Sequence, residues 1–198
     1  MKLGSYNAHR RHFGAIRDLS TEEIAEHERH LLEYVYGRIK KIKGIQLYGP
    51  TENLAEKVGV VAFNIEGMHN SLVAAIIGTE AGIGVRNGCF CAHPYVKELL
   101  KVSPEEDAKF TAEVLDGNKS NMPGMVRASF GCYNNLSDID ALVDILERIV
   151  RRDFTGRYVQ NPRSGAFHAE GYEIPYHKYF PFMSSSESAK DRTSSAAS

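Results

Sequence analysis

Strand-forming segments are few and short in this chain of 198 residues. Runs rich in β-branched residues lie between amphipathic helix patterns, at residues 45–48, 58–65, 85–86 and 125–130. A doubly wound nucleotide-binding domain needs more strands and a glycine-rich phosphate loop, and the sequence offers neither. The order α-β-β-α-β-α-α-β-α instead predicts a small α/β (α+β) sandwich, in which helices cover a mostly antiparallel sheet.

Capping residues and glycines set the expected helix boundaries. Ser20 and Glu23 have capping-box spacing, so they predict the start of a long amphipathic helix over residues 21–43. Gly44 then stands where a C-cap glycine is expected. Further helices are predicted over residues 69–81 and 94–100, from Ser103-Pro104 onwards, and from Ser137 with Asp140 onwards.

Changes in pattern divide the chain into four predicted segments. Residues 1–19 form an unpatterned lead, and residues 20–152 form one folded domain. Residues 153–183 are rich in tyrosine, proline and glycine without any period, which predicts an irregular extension that wraps over a surface. Residues 184–198 contain no aromatic or branched aliphatic side chain and predict a disordered tail.

Charge and cysteine content narrow the classes of partner. The chain has 24 Lys and Arg against 25 Asp and Glu, a net charge of -1. This balance argues against nucleic-acid or membrane-surface binding, because both need a basic field. No apolar run approaches the roughly 20 residues that span a bilayer, and the lead lacks a secretory apolar region. Three cysteines make a poor disulfide framework, so we expect a reducing, cytoplasmic compartment.

The segment GVRNGCFCAHP, residues 84–94, is the strongest candidate for chemistry. A buried strand leads into a glycine-bearing loop with Cys89 and Cys91, and His93 follows them. A cysteine reacts as its thiolate, which nearby positive charge favours. Two other interpretations stay open at this point. Both cysteines could be small packing residues, or they could bind zinc with His93 and Cys132, although C-x-C-x-H is not a usual zinc spacing.

Arg127 lies in the strand MVRASF among apolar neighbours. A buried arginine needs an anionic partner. That partner is either an acidic side chain of the protein, in a structural ion pair, or the carboxylate of a substrate held by a bidentate clamp. The residues alone do not choose between these two.

Two motifs together resemble a known family. VRNGCFCAHP, followed about thirty residues later by RASFGCYNNLSDIDALVDIL, is similar to the C-terminal part of class V aminotransferases, and most of all to the cysteine desulfurase and selenocysteine lyase branch. The resemblance extends roughly from Phe13 to Val150. It implies the small C-terminal domain, over residues 20–152, of a pyridoxal-phosphate enzyme with the aspartate-aminotransferase fold.

The resemblance also implies roles for three residues. Cys91, which comes directly before Ala-x-Pro, corresponds to the nucleophile that takes sulfur from cofactor-bound cysteine. Arg127 corresponds to the clamp on the substrate carboxylate, and Arg86 to a supporting active-site arginine. In place of Cys89-Phe90 the desulfurase branch often has histidines.

The family's Schiff-base lysine belongs to a large domain that has no counterpart in these residues. We therefore expect this chain to be inactive alone, not to hold pyridoxal phosphate by itself, and to need the missing large domain or a full-length relative as partner. The family also implies a homo-oligomer. The alternatives are another class V chemistry (transaminase, lyase or epimerase), a non-catalytic interaction module, and a thiol-redox or sulfur-carrier protein using Cys89 and Cys91.

Overall fold

A computed structural model describes residues 19–55 and 57–172 of the chain. These residues form five helices and six strands, which are α1 Thr21–Ile39, β1 Ile45–Tyr48, β2 Val60–Ile65, α2 Asn70–Ala81, β3 Arg86–Gly88, α3 His93–Leu99, α4 Pro104–Leu115, β4 Met125–Ser129, α5 Leu136–Val150, β5 Tyr158–Gln160 and β6 Phe167–Ala169. The predicted order α-β-β-α-β-α-α-β-α is confirmed for the first nine elements. No helix in the described ranges is long and apolar enough to cross a membrane.

The first four strands form one sheet in the order β1-β2-β4-β3. Every neighbouring pair is antiparallel, and the central strand β2 pairs through Ile65 with Ile45 on one side and through Val61 with Ala128 on the other. The predicted class, a small antiparallel sheet covered by helices, is confirmed. Strands β5 and β6 form a separate two-stranded sheet.

The two faces of the four-stranded sheet have different coverings. On one face, Val61, Phe63 and Ile65 of β2 are buried against α1, α2 and α5 in the main core. Among the described residues, the buried cluster on the other face is small and consists of Tyr48, Cys89, Val96 and Met125. Because successive strand residues point to opposite faces, β4 directs Arg127 to this second face, next to Met125. The second face is therefore where a polar site can form.

The capping box of α1 is present as predicted. The Ser20 hydroxyl accepts a hydrogen bond from the Glu23 N–H at 3.1 Å, and the Glu23 carboxylate accepts one from the Ser20 N–H at 2.8 Å. The predicted end was wrong, because α1 stops at Ile39 and not at residue 43. The N–H groups of Lys41 and Ile42 bond three residues back in tight turns. Gly44, with φ +88°, then turns the chain into β1.

The start of α5 also differs from the prediction. The N-cap is Asn135, not Ser137: the Asn135 side-chain oxygen accepts from the Ser137 N–H at 2.8 Å. The Asp138 carboxylate accepts a hydrogen bond from the Asn135 N–H at 3.0 Å, which completes the capping box. Asparagine caps as well as serine does, so a second candidate lay two residues earlier in the sequence.

The predicted irregular extension contains a regular element. Within residues 153–172, strands β5 and β6 pair as a hairpin, and the hairpin packs against α2. Strands of three residues are too short to show a period, which is why the sequence pattern missed them. The remainder of the extension, most of the predicted lead and the whole predicted tail lie outside the described residues.

Candidate functional site

Two arginines of neighbouring strands meet on the less covered face of the sheet. The register pairs Arg86 of β3 directly with Arg127 of β4. Directly opposed residues of an antiparallel pair project from the same face, with Cβ atoms about 4.5–5.5 Å apart. Neither guanidinium forms an ion pair within the part of the chain that the structure describes. The structural ion pair considered for Arg127 is thus not seen there.

Arg127 is half-buried and held by an aromatic ring. Its guanidinium carbon lies 4.9 Å from the centroid of the Phe90 ring. Its Nε is buried and has no hydrogen-bond partner among residues 19–55 and 57–172. A buried donor without a partner is costly, and a ring-stacked guanidinium presents its remaining N–H groups in a planar fork. This arrangement favours binding of a planar anion such as a carboxylate.

The loop between β3 and α3 presents Cys91 in a strained turn. Phe90 and Cys91 have φ values of +52° and +62°, in the left-handed region. The Ala92 N–H donates to the Cys89 carbonyl at 2.8 Å and closes the turn. The Cys91 side chain is exposed. Left-handed conformations of non-glycine residues cost about 1–3 kcal/mol each and cluster at functional sites.

Cys89 has the opposite environment. Its side chain is 6% exposed, and its Sγ donates to the Pro123 carbonyl at 3.1 Å. Burial raises the pKa of the Cys89 thiol, and the charge of Lys97 offsets only part of that rise. Cys89 therefore has the position of a packing residue, whereas Cys91 does not.

An open cleft of about 480 Å³ adjoins Arg127. Its walls are mostly apolar and include Tyr48 at the end of β1, Val58 before β2 and Tyr95 on α3. Val58 and Tyr95 are 69% and 57% exposed, so this wall is apolar surface open to solvent. The cleft could accommodate a small carboxylate ligand or the surface of another domain.

Sequence reasoning missed two polar residues of this cleft. Lys57 lines it, and the Lys57 Nζ donates to the Tyr36 hydroxyl at 2.7 Å and lies 5.0 Å from the centroid of that ring. Burial raises the pKa of Tyr48, although a hydrogen bond from Asn64 opposes the rise. Both lie far from the cysteine loop in sequence, and only the β1–β2–β4 pairing brings them to it. The sequence around Lys57 therefore gave no indication that this lysine lines the cleft.

The zinc interpretation finds no support in the geometry. His93 opens α3, and Cys132 lies half-buried after β4. Within the described ranges, no group of three or more His, Cys, Asp or Glu side chains is placed to hold a metal ion. The four residues considered as ligands are therefore not assembled into a site.

The model of the class V aminotransferases matches residues 9–142. This chain belongs to that family. The motif around Cys91 and most of the motif that begins at Arg127 lie within the matched region. The resemblance is therefore confirmed at the level of the family.

Relatives within the class V family are named as desulfurases. A probable cysteine desulfurase of Halalkalibacterium halodurans is 35% identical over 133 residues, which are 67% of this chain and 26% of that protein. Another, from Staphylococcus epidermidis, is 32% identical over 133 residues, with the same two shares. This chain thus spans about a quarter of the length of the curated relatives it matches.

Solved structures agree on the fold. The apo cysteine desulfurase of Thermococcus onnurineus aligns with a TM-score of 0.51 at 30% identity, over 65% of this chain and 26% of that one. An Escherichia coli cysteine desulfurase in its S-sulfonic acid form aligns with a TM-score of 0.52 over 70% of this chain and 28% of that one. At 24% identity, the second likeness concerns the fold alone.

The described residues do not fit a complete site for pyridoxal phosphate. The cofactor needs a lysine with a free amine at its attachment point. Lys57 lines the cleft beside Arg127, but its Nζ donates a hydrogen bond to the Tyr36 hydroxyl and lies over the Tyr36 ring. Lys97, near the cysteine loop, is paired with Asp107. Neither of these two lysines, as the structure describes them, therefore has a free amine for attachment of the cofactor.

Proposed function

We propose that this chain is the substrate-binding and sulfur-accepting portion of a cysteine desulfurase-like, pyridoxal-phosphate-dependent enzyme. The observation that carries the proposal is local. The exposed Cys91 follows Phe90 in a strained turn, and the Phe90 ring is stacked on Arg127, whose buried Nε has no partner in the described structure. The nucleophile Cys91 and the anion-binding Arg127 are thus connected through a single residue of the loop, Phe90. The desulfurase names of the relatives support this assignment.

Arg127 and Arg86 bind the carboxylate of the amino-acid substrate in this proposal. A planar guanidinium matches a carboxylate with two parallel hydrogen bonds. The opposed pair concentrates positive charge on one face of the sheet, where an anion would relieve the repulsion. Arg127, stacked and half-buried, fixes the orientation of the substrate carboxylate, and the exposed Arg86 adds positive charge on the neighbouring strand.

Cys91 is the sulfur acceptor. Its thiolate attacks the sulfur of the cysteine substrate, so an S–S bond forms on Cys91 while the substrate's C–S bond breaks. The electron pair of the broken bond stays on carbon, which takes up a proton and leaves as alanine. Pyridoxal phosphate would supply the stabilisation of that carbon. Exposure of the Cys91 side chain suits transfer of the bound sulfur to an acceptor.

The partner that completes the enzyme is a large domain carrying the lysine, and this chain is inactive without it. The relatives are about four times as long as the matched region, and the cleft beside Arg127 leaves apolar side chains such as Val58 and Tyr95 exposed. Apolar surface of this kind is typical of a face that another domain covers. We also propose the family's homo-oligomeric state and a reducing, cytoplasmic location, which suits the free thiols of all three cysteines.

A chimera tests this proposal. Residues 9–142 replace the matched region of the Halalkalibacterium relative, and release of sulfide and alanine from L-cysteine is measured with pyridoxal phosphate present. We expect activity that Cys91→Ser abolishes and that the control Cys132→Ser retains. Arg127→Gln should raise KM for L-cysteine by about tenfold or more, because a charged hydrogen-bonded pair is lost. Equal sulfide release by the Cys91→Ser chimera would overturn the proposal. Transamination without sulfide release would favour another class V chemistry.

A further inference from the structure

A C-terminal hairpin that lies beyond the matched family region contacts the core of the fold. The family model ends at residue 142, whereas β5 and β6 lie at residues 158–169. The Phe167 N–H donates to the Ser71 hydroxyl at 3.0 Å, and the Phe167 ring centroid lies 5.9 Å from that of His69. The hairpin is thereby fixed against the start of α2.

The same hairpin holds the segment that precedes β4, residues 118–124. The Lys119 N–H donates to the Pro162 carbonyl at 2.7 Å, and the Gln160 side-chain amide donates to the Ser120 carbonyl at 2.9 Å. Gly165 approaches so closely that a Cβ there would lie 2.5 Å from the Lys119 carbonyl oxygen. We call the hairpin and this segment, residues 158–169 and 118–124, the brace.

The brace continues to the cysteine loop. Pro123 accepts the hydrogen bond from the buried Cys89 thiol at 3.1 Å. At the next residue, Gly124 packs on Gly88 so tightly that a Cβ on Gly124 would lie 2.6 Å from the Gly88 Cα. The Asn64 side-chain amide also donates to the Gly124 carbonyl at 3.0 Å. An unbroken chain of contacts therefore runs from the hairpin to the first residues of the loop.

We propose that the brace holds the loop in its strained conformation and that Cys89 is the positioning residue through which it acts on Cys91. This inference rests on the proposed function, in which Cys91 is the acceptor. Strained left-handed residues persist only where surrounding contacts fix them. Phe90 and Cys91 are both left-handed, and Cys89 at the start of this turn is the residue hydrogen-bonded to the brace. The Phe90 ring in turn lies against the Arg127 guanidinium. The conformation of the turn therefore sets the positions of both the nucleophile Cys91 and the ring that holds Arg127.

Two glycines of the C-terminal segment give a matched pair of variants. Gly165 and Gly171 both have φ +73°, but a Cβ on Gly171 meets no atom of the described residues within 4 Å. Alanine therefore meets the same positive φ at both positions, whereas Gly165→Ala also pushes the hairpin away from Lys119. At Cys89, alanine removes the donor to Pro123, whereas serine keeps a hydroxyl donor in its place.

The test is amide hydrogen exchange in the full chain, read at the Ala92 N–H that closes the turn. Gly165→Ala and Cys89→Ala should each speed this exchange by about tenfold or more, while the amides of β4 stay protected. Gly171→Ala should leave the Ala92 rate unchanged, and Cys89→Ser should return it towards that of the parent.

If Gly165→Ala does not fold, Gln160→Ala is used in its place, since it removes the side-chain hydrogen bonds to the Ser120 and Gly165 carbonyls without a clash. Two results would overturn the proposal that the brace holds the loop. One is an Ala92 exchange rate that is equal in Gly165→Ala and Gly171→Ala, and the other is a rate that is equal in Cys89→Ala and Cys89→Ser. Because exchange needs no turnover, loss of the brace and loss of the desulfurase assignment are separate outcomes.

Discussion

Arg86 and Arg127 stand directly opposite each other on β3 and β4, and no acidic side chain in the described ranges pairs with either. Opposed like charges destabilise an antiparallel pair. The fold therefore carries a local cost that is relieved when an anion lies between the two guanidinium groups. Repulsion between two unpaired arginines is expected where they bind an anionic ligand, whereas arginines in structural ion pairs would already be neutralised by acidic side chains.

Neutralising the exposed member of this pair should stabilise the ligand-free chain. We expect Arg86→Gln to raise the free energy of unfolding by about 0.2–1 kcal/mol at low salt, because it removes the cross-strand repulsion. The gain should shrink at high salt, which screens exposed charges. Urea unfolding at low and high NaCl concentration measures both effects.

Arg163→Gln is the control for net charge, since Arg163 is exposed in the loop between β5 and β6. If both variants changed stability equally, the effect would come from overall charge and not from the opposed pair. A destabilised Arg86→Gln would show that Arg86 has a structural partner.

The three thiols should react at different rates. We expect timed alkylation at neutral pH, with peptide mapping, to label Cys91 fastest and Cys89 slowest, with a difference of about tenfold or more between these two thiols. Cys91 is exposed, whereas Cys89 is buried and burial raises the pKa of its thiol. In urea the difference in labelling rate between the three thiols should disappear, because unfolding exposes all of them. Labelling of the half-buried Cys132 as fast as Cys91 in the folded chain would remove the support for a special role of Cys91.

The sequence predicted the elements better than their contacts. Ser20 with Glu23 located the start of α1, and a run rich in β-branched residues located β2, because capping and strand propensity are local properties. The Phe90–Arg127 stack was not predictable, since the two residues lie on different elements and meet through the β3–β4 register. Likewise, nothing in the sequence related Cys89 to Pro123, as their hydrogen bond spans 34 positions.

The chain alone should not attach pyridoxal phosphate at a single lysine. Lys57 is the lysine that lines the cleft beside Arg127, and its Nζ is bound to the Tyr36 hydroxyl. After incubation with the cofactor, borohydride reduction and peptide mapping should give only scattered, substoichiometric adducts. One stoichiometric pyridoxyl-lysine within residues 19–172 would contradict the expectation. Tyr36→Phe is an informative companion, because freeing Lys57 should increase its share of the adducts.

Glu80 should anchor the C-terminal extension in a pH-dependent way. Burial opposes the charge of its carboxylate, but the Gly156 and Thr155 N–H groups donate to it at 2.9 and 2.8 Å, and Arg148 pairs with it at 2.8 Å. These donors outweigh burial, so the pKa of Glu80 is lowered. A carboxyl group with a lowered pKa stabilises the fold above its unfolded pKa, and this contribution is lost as pH falls through the folded pKa.

Glu80→Gln should therefore lower the free energy of unfolding by about 1.5–3 kcal/mol at pH 7, the range for hydrogen bonds to charged groups. The difference from the parent should shrink below about pH 4, where the parent's own carboxyl becomes protonated. Urea unfolding across this pH range measures it. Glu147→Gln is the matched control, because Glu147 forms an exposed pair with Arg151 one helical turn away, a type of pair that contributes about 0.3–0.5 kcal/mol. If Glu80→Gln cost no more than Glu147→Gln at pH 7, or if its effect did not change with pH, Glu80 would not be the ionised anchor of the extension.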